Sequence, residues 1–166
     1  MPALSGRLER SVEQALAASP ARIVITGAGG WLGMATLELL EAALGPDFAA
    51  RIACYGSTCR KLRLVDGTIV EQSPLAEMAM LDPCPSLVLH LAFLTKDRAE
   101  AMAADDYAAA NRKLSATVLA ALDPIGAEAV FVASSSVAGS AICSAINSAT
   151  APPLRAQYAW SSAALR

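Results

Sequence analysis

Residues 21–33 read Ala21-Arg22-Ile23-Val24-Ile25-Thr26-Gly27-Ala28-Gly29-Gly30-Trp31-Leu32-Gly33. The first six form a short β-branched run, the pattern of a buried strand. Gly27-Ala28-Gly29-Gly30 is a turn. Residues 31–44 then have helical character, and Gly45-Pro46 stops them. Strand, glycine turn and helix make the opening half of a βαβ unit. The glycines fit GxxGxxG at Gly27, Gly30 and Gly33. They do not fit GxGxxG from Gly27, because residue 32 is Leu, and no Gly-Lys-Ser/Thr follows. Glycines permit a tight turn and let backbone N–H groups approach a pyrophosphate, whose charge the helix N-terminus then faces. A turn that merely packs a helix is the plainer alternative. The strand before it and the helix after it are the context a dinucleotide site requires, and all three glycines are expected to meet the pyrophosphate.

The rest of the chain extends this alternation. Residues 4–16 repeat Leu4, Leu8, Val12 and Leu16 at helical spacing, and Ser19-Pro20 ends that helix. Residues 51–56 are a second strand. Residues 61–65 and 68–72 flank Asp66-Gly67, which predicts a hairpin closed by a type I′ turn. Residues 74–81 form a short helix and 86–92 a strong strand. Residues 96–122 are helical with a break near Asp105-Asp106, and 129–133 are a further strand. The expected fold is α/β: a doubly wound Rossmann-type parallel sheet with helices on both faces, ordered 3-2-1-4-5 and incomplete at the C-terminus. The division is an N-terminal helix (1–20), a nucleotide-binding domain (21–136) and an atypical tail (137–166).

Composition narrows the function. The 166 residues are 55% hydrophobic, 5% aromatic and 17% charged, with a net charge of −2. A disordered chain would be poorer in apolar residues. No basic stripe marks a nucleic-acid surface. No apolar run approaches a membrane span, and no signal core precedes the first helix. Cys54, Cys59, Cys84 and Cys143 form no CxxC pair, and one histidine cannot complete a common zinc site, so no metal is expected. Free thiols suit a reducing cytoplasm.

Four segments together resemble the extended short-chain dehydrogenase/reductases, the NAD-dependent epimerase/dehydratase family. They are residues 26–33, Leu89-His90-Leu91-Ala92, Asn111, and residues 130–139 with Ser134-Ser135-Ser136. The resemblance implies hydride transfer on sugar nucleotides or small hydroxyl or carbonyl compounds. It implies cofactor contacts at Gly27, Gly30, Trp31 and Leu32, and at Leu91, Ala92 and Phe93. Asn111 would tie its helix to the neighbouring strand. His90 reads either as a base or, as the resemblance implies, as a structural support. NADP or NAD is the cofactor. An acidic residue ending the second strand would bond a ribose 2′-hydroxyl. Here Gly56-Ser57-Thr58-Cys59-Arg60-Lys61 offers hydroxyls and cations instead, which favours NADP with Ser57 and Arg60 as contacts.

The family's chemistry uses a Ser/Thr, a Tyr and a Lys. Ser134 is the best match for the hydroxyl, with Ser135 and Ser136 as rivals, and Tyr158 stands where the tyrosine belongs. The lysine position is Ser162, and no lysine follows Lys113. Tyrosine's ordinary pKa is about 10, so without a cation it is a poor base at neutral pH. Only Arg155 and Arg166 are charged after Glu128. Four readings follow: an NAD(P)-dependent enzyme, a truncated and inactive cofactor-binding module, a frame-shifted product, and a purely structural domain that leaves the glycine turn unexplained. An incomplete sheet would expose its last strand and invite a homodimer.

Overall fold

The computed structural model describes residues 6–94 and 100–133. Six strands make one sheet: β1 (Arg22–Thr26), β2 (Ile52–Gly56), β3 (Arg60–Arg63), β4 (Ile69–Pro74), β5 (Ser86–His90) and β6 (Ala127–Val132). Their order is β3-β4-β2-β1-β5-β6. All neighbours run parallel except the β3–β4 hairpin. The parallel strands therefore follow the expected 3-2-1-4-5, with β4 as the third. The fold is α/β and Rossmann-type. β3 adds an antiparallel edge that carries Arg60, Lys61 and Arg63.

The sheet is buried on both faces because its central strand is apolar on both. Ile23 and Ile25 of β1 pack with Leu37, Leu40 and Phe48 on one side. Val24 packs with Met78, Val88, Val118 and Ile125 on the other. The first face is covered by α2 (Trp31–Leu44) and the four-residue α3 (Phe48–Arg51). Leu8, just before α1 (Arg10–Ala18), and Leu16 within it pack there too. The second face carries the 3-10 helix Leu75–Met80 and α4 (Ala104–Leu122). Arg51 donates to Leu16 O at 2.9 Å and to Ala21 O at 3.1 Å, which ties the end of α1 to the sheet.

Several expectations need correction. Of the helix expected over residues 96–122, Glu100 is helical, the break falls at residues 101–103 rather than near Asp105-Asp106, and α4 runs from Ala104. The short helix expected over residues 74–81 is the 3-10 helix Leu75–Met80, because Pro74 still belongs to β4. The chain re-enters a helix directly after Gly45-Pro46, because Phe48 inserts into the core at 3% exposure. The hairpin turn is not type I′. That turn needs positive φ at two successive residues, but no described residue other than glycine has one. Gly67 N–H donates to Leu64 O at 3.1 Å with Gly67 at φ 96°, and Leu64 N–H donates to Thr68 O at 2.9 Å. This is a three-residue loop, a β-turn followed by a left-handed glycine. Asp66 holds it by accepting from Thr68 N–H at 2.9 Å. The sheet order ends at β6, where Phe131 is 59% exposed among the described residues.

Candidate nucleotide-binding site

β1 lies between β2 and β5, so the crossovers leave it in opposite directions. Ligands of such sheets bind outside the carboxyl ends of the strands at that point. The glycine turn stands there. Gly27 takes φ 75°, and its N–H and that of Ala28 both donate to Tyr55 O, at 2.8 and 3.3 Å. A Cβ on Gly27 would lie 2.8 Å from the backbone of Leu91 and Ala92, so only glycine lets the turn close on the loop after β5. A Cβ on Gly33 would run into the carbonyls of Gly27 and Ala28. Gly33 therefore lets α2 pack closely against the turn. At Gly30 a Cβ would touch only Gly27 O, at 3.3 Å.

No side chain caps α2, and Met34 N–H reaches back to Gly30 O at 2.8 Å. The amides of Trp31, Leu32 and Gly33 come before the first intrahelical bond and are open to an anion. Trp31 is 78% exposed beside them. The backbone cradle thus fits the pyrophosphate of a dinucleotide.

On the β2 side, Gly56 ends the strand. A Cβ there would collide with the side-chain amide of Gln72, which crosses over Gly56 from β4. Gln72 Oε1 accepts from Gly29 N–H at 2.9 Å, and its Nε2 donates to Thr58 O at 2.8 Å. Arg60 Nη2 donates to Gly29 O. A side chain at residue 29 would occupy the place of that guanidinium. Ser57 lines an adjoining cleft of about 380 Å³ with Gly56, Pro74, Leu75, Lys113 and Leu114. Cys54 lies inside β2, where burial pushes its thiol up to about 12 and leaves it unreactive.

On the β5 side, Leu91 N–H donates to Thr26 O at 3.0 Å, and Ala92 follows against Gly27. The Phe93 ring lies 4.8 Å from that of His90. Leu94 is held at both ends of its backbone: Asn111 Oδ1 accepts its N–H at 2.9 Å, and Tyr107 Oη donates to its carbonyl at 2.9 Å. Asn111 thus joins α4 to the loop after β5. His90 is 2% exposed, with Nδ1 2.7 Å from Thr26 Oγ1 and Nε2 3.4 Å from Ser115 Oγ. It pins β1, β5 and α4 together. Burial pushes its pKa down from 6.5 to about 4, so the ring is neutral at pH 7.

The structure brings Gly27, Gly30, Trp31, Leu32, Ser57, Arg60, Leu91, Ala92 and Phe93 to the carboxyl ends of β1, β2 and β5 and the turns beside them. Ser134 and Tyr158 lie outside the described residues. Gln72 and Tyr107 were not singled out by the sequence; both read there as ordinary residues of a strand and a helix. Among the described residues no helix is long and apolar enough to cross a membrane, and no group of three His, Cys, Asp or Glu is placed to hold a metal. A family model described as the NAD dependent epimerase/dehydratase family matches residues 23–165. No curated protein and no solved structure matches the chain.

Proposed function

The chain belongs to the NAD dependent epimerase/dehydratase family, and from that premise we propose that it binds NADP(H) in preference to NAD(H) and serves hydride transfer on a sugar nucleotide or a small hydroxyl or carbonyl compound. A nicotinamide dinucleotide is the cofactor that the family implies. The preference for NADP rests on one observation. Arg60 sits against the glycine turn through Gly29 O, while the segment from Gly56 to Lys61 carries no carboxylate. A guanidinium suits a 2′-phosphate through charge-assisted hydrogen bonds, whereas a 2′-hydroxyl would call for an acid.

The roles follow from position. The open amides of Trp31 and Leu32 hold the pyrophosphate. Ser57 and Arg60 face the ribose of the adenosine. The cleft between Pro74, Leu75 and Leu114 takes the flat adenine ring, and Leu91, Ala92 and Phe93 border the nicotinamide half. When bound, the cofactor supplies or accepts hydride. Ser134 would orient the substrate oxygen, and Tyr158 would exchange a proton with it.

A second reading, binding without ordinary turnover, is favoured by one sequence fact: Ser162 stands where the activating lysine belongs, and no lysine follows Lys113. Each unit of lost tyrosine activation is about tenfold in the ionised fraction. Titrating the intrinsic tryptophan fluorescence with NADPH and NADH tests the binding. Tighter NADPH binding is expected, and tighter NADH binding would refute the preference. An oxidation assay across alcohols and sugar nucleotides separates the two readings, since turnover at an ordinary rate excludes the inactive module.

A further inference from the structure

Gln72 is a polar side chain with 3% exposure at the junction of three elements. In the sheet it faces Cys54 of β2 on one side and Arg60 of β3 on the other. Its amide reaches across Gly56 to the glycine turn. Gly29 is then held at both of its polar groups by cross-strand neighbours: its N–H by Gln72, its carbonyl by Arg60. The other end of the Gln72 amide holds Thr58 O at 2.8 Å, which fixes the loop that carries Ser57 and leads to Arg60.

We infer that Gln72 is the positioning residue that sets which ribose the site accepts, by locking Arg60 and the Thr58 loop beside the turn and by filling the space over Gly56. This rests on the NADP reading above and deepens it. Two physical consequences support it. The amide occupies the volume that any side chain at residue 56 would need, so an acidic reader of the 2′-hydroxyl cannot stand there while Gln72 does. Burial also makes the lock firm, since a buried amide that loses a partner pays its full desolvation cost. Gln72 touches Gly29 and Thr58, so its influence on the ribose passes through them and through Arg60.

The test is a set of fluorescence titrations with NADPH and with NADH on the full chain and on Q72A, Q72E and R60M, with circular dichroism and thermal melting as folding controls. The readout is the ratio of the two dissociation constants, which a merely structural role would leave unchanged because both affinities would fall together. The wild-type ratio favours NADPH, and R60M removes that preference. Q72A narrows the ratio by about tenfold, the scale of one misplaced charge-assisted bond. Q72E keeps the length and the acceptor for Gly29 N–H, loses the donor to Thr58 O, and puts a carboxylate beside the ribose. It shifts the ratio further towards NADH, and it carries the test if Q72A does not fold. A wild-type chain without preference for NADPH overturns both the reading and the inference. A ratio that collapses in R60M but survives in Q72A and Q72E overturns the inference alone.

Discussion

Lowering the pH from 7 to 5 costs this protein stability through one residue, His90. The chain has a single histidine. Its ring lies between two hydroxyls, Thr26 Oγ1 at 2.7 Å and Ser115 Oγ at 3.4 Å, with the Phe93 ring beside it. A neutral imidazole meets both hydroxyls, one nitrogen donating and the other accepting. None of these neighbours offers a negative charge, and burial holds the folded pKa at about 4 against an ordinary 6.5. The unfolded chain therefore takes up a proton near pH 6.5 that the folded chain resists until about pH 4. The stability is fully present above about pH 6.5 and is lost as the pH falls through that window. Linkage over the whole gap of 2.5 units amounts to about 3 kcal/mol, of which about 2 kcal/mol is gone by pH 5.

The measurement is urea unfolding at pH 7, 6 and 5 for the wild type and for His90→Gln, which keeps a donor and an acceptor but does not titrate. Carboxylates contribute equally to both proteins, so the difference isolates the histidine. The wild type is expected to lose about 2 kcal/mol more than the variant between pH 7 and pH 5. The ring proton resonance of the one histidine should titrate with a midpoint near 4. Equal losses in the two proteins, or a midpoint near 6.5, would refute the buried, neutral ring.

Other perturbations have equally definite outcomes. Leu37→Ala, which empties a fully buried position of the first core face, should destabilise by about 2–5 kcal/mol in urea unfolding. Gly33→Ala puts a methyl against the carbonyls of Gly27 and Ala28; a loss of about 1–3 kcal/mol and weaker NADPH binding by titration are expected. Asn111→Leu leaves the Leu94 N–H without its partner and should cost about 1–3 kcal/mol, read as a lowered melting temperature. NADPH at about a hundredfold over its dissociation constant should add about 2.7 kcal/mol, a rise of several degrees in a thermal melt.

Much of the fold was legible because its signals are local. The β1 run buries both of its faces, and glycine and proline punctuate the elements that follow, so strand, turn, helix and parallel order could be read from a few residues each. The hairpin shows the limit. Asp66-Gly67 suits a two-residue type I′ turn and a three-residue loop alike; the backbone settles on the loop, with positive φ at Gly67 alone and the Asp66 carboxylate holding Thr68 N–H. The site shows a deeper limit. Gly27, Gly29, Gly33 and Gly56 are the same letter with four different neighbours: the loop after β5, the Arg60 guanidinium, the turn's own carbonyls and the Gln72 amide. The spacing predicts the turn. It does not tell which glycine admits a phosphate and which admits a protein side chain, because that depends on what the sheet register brings opposite. Gln72 is the clearest instance. It lies 43 residues from Gly29 and 14 from Thr58, and it meets both only because β4 pairs with β2 and β3 at once. Two bonds of that kind turn an ordinary strand residue into the link between the glycine turn and the loop after β2, which makes register rather than motif the place to look for specificity in this chain.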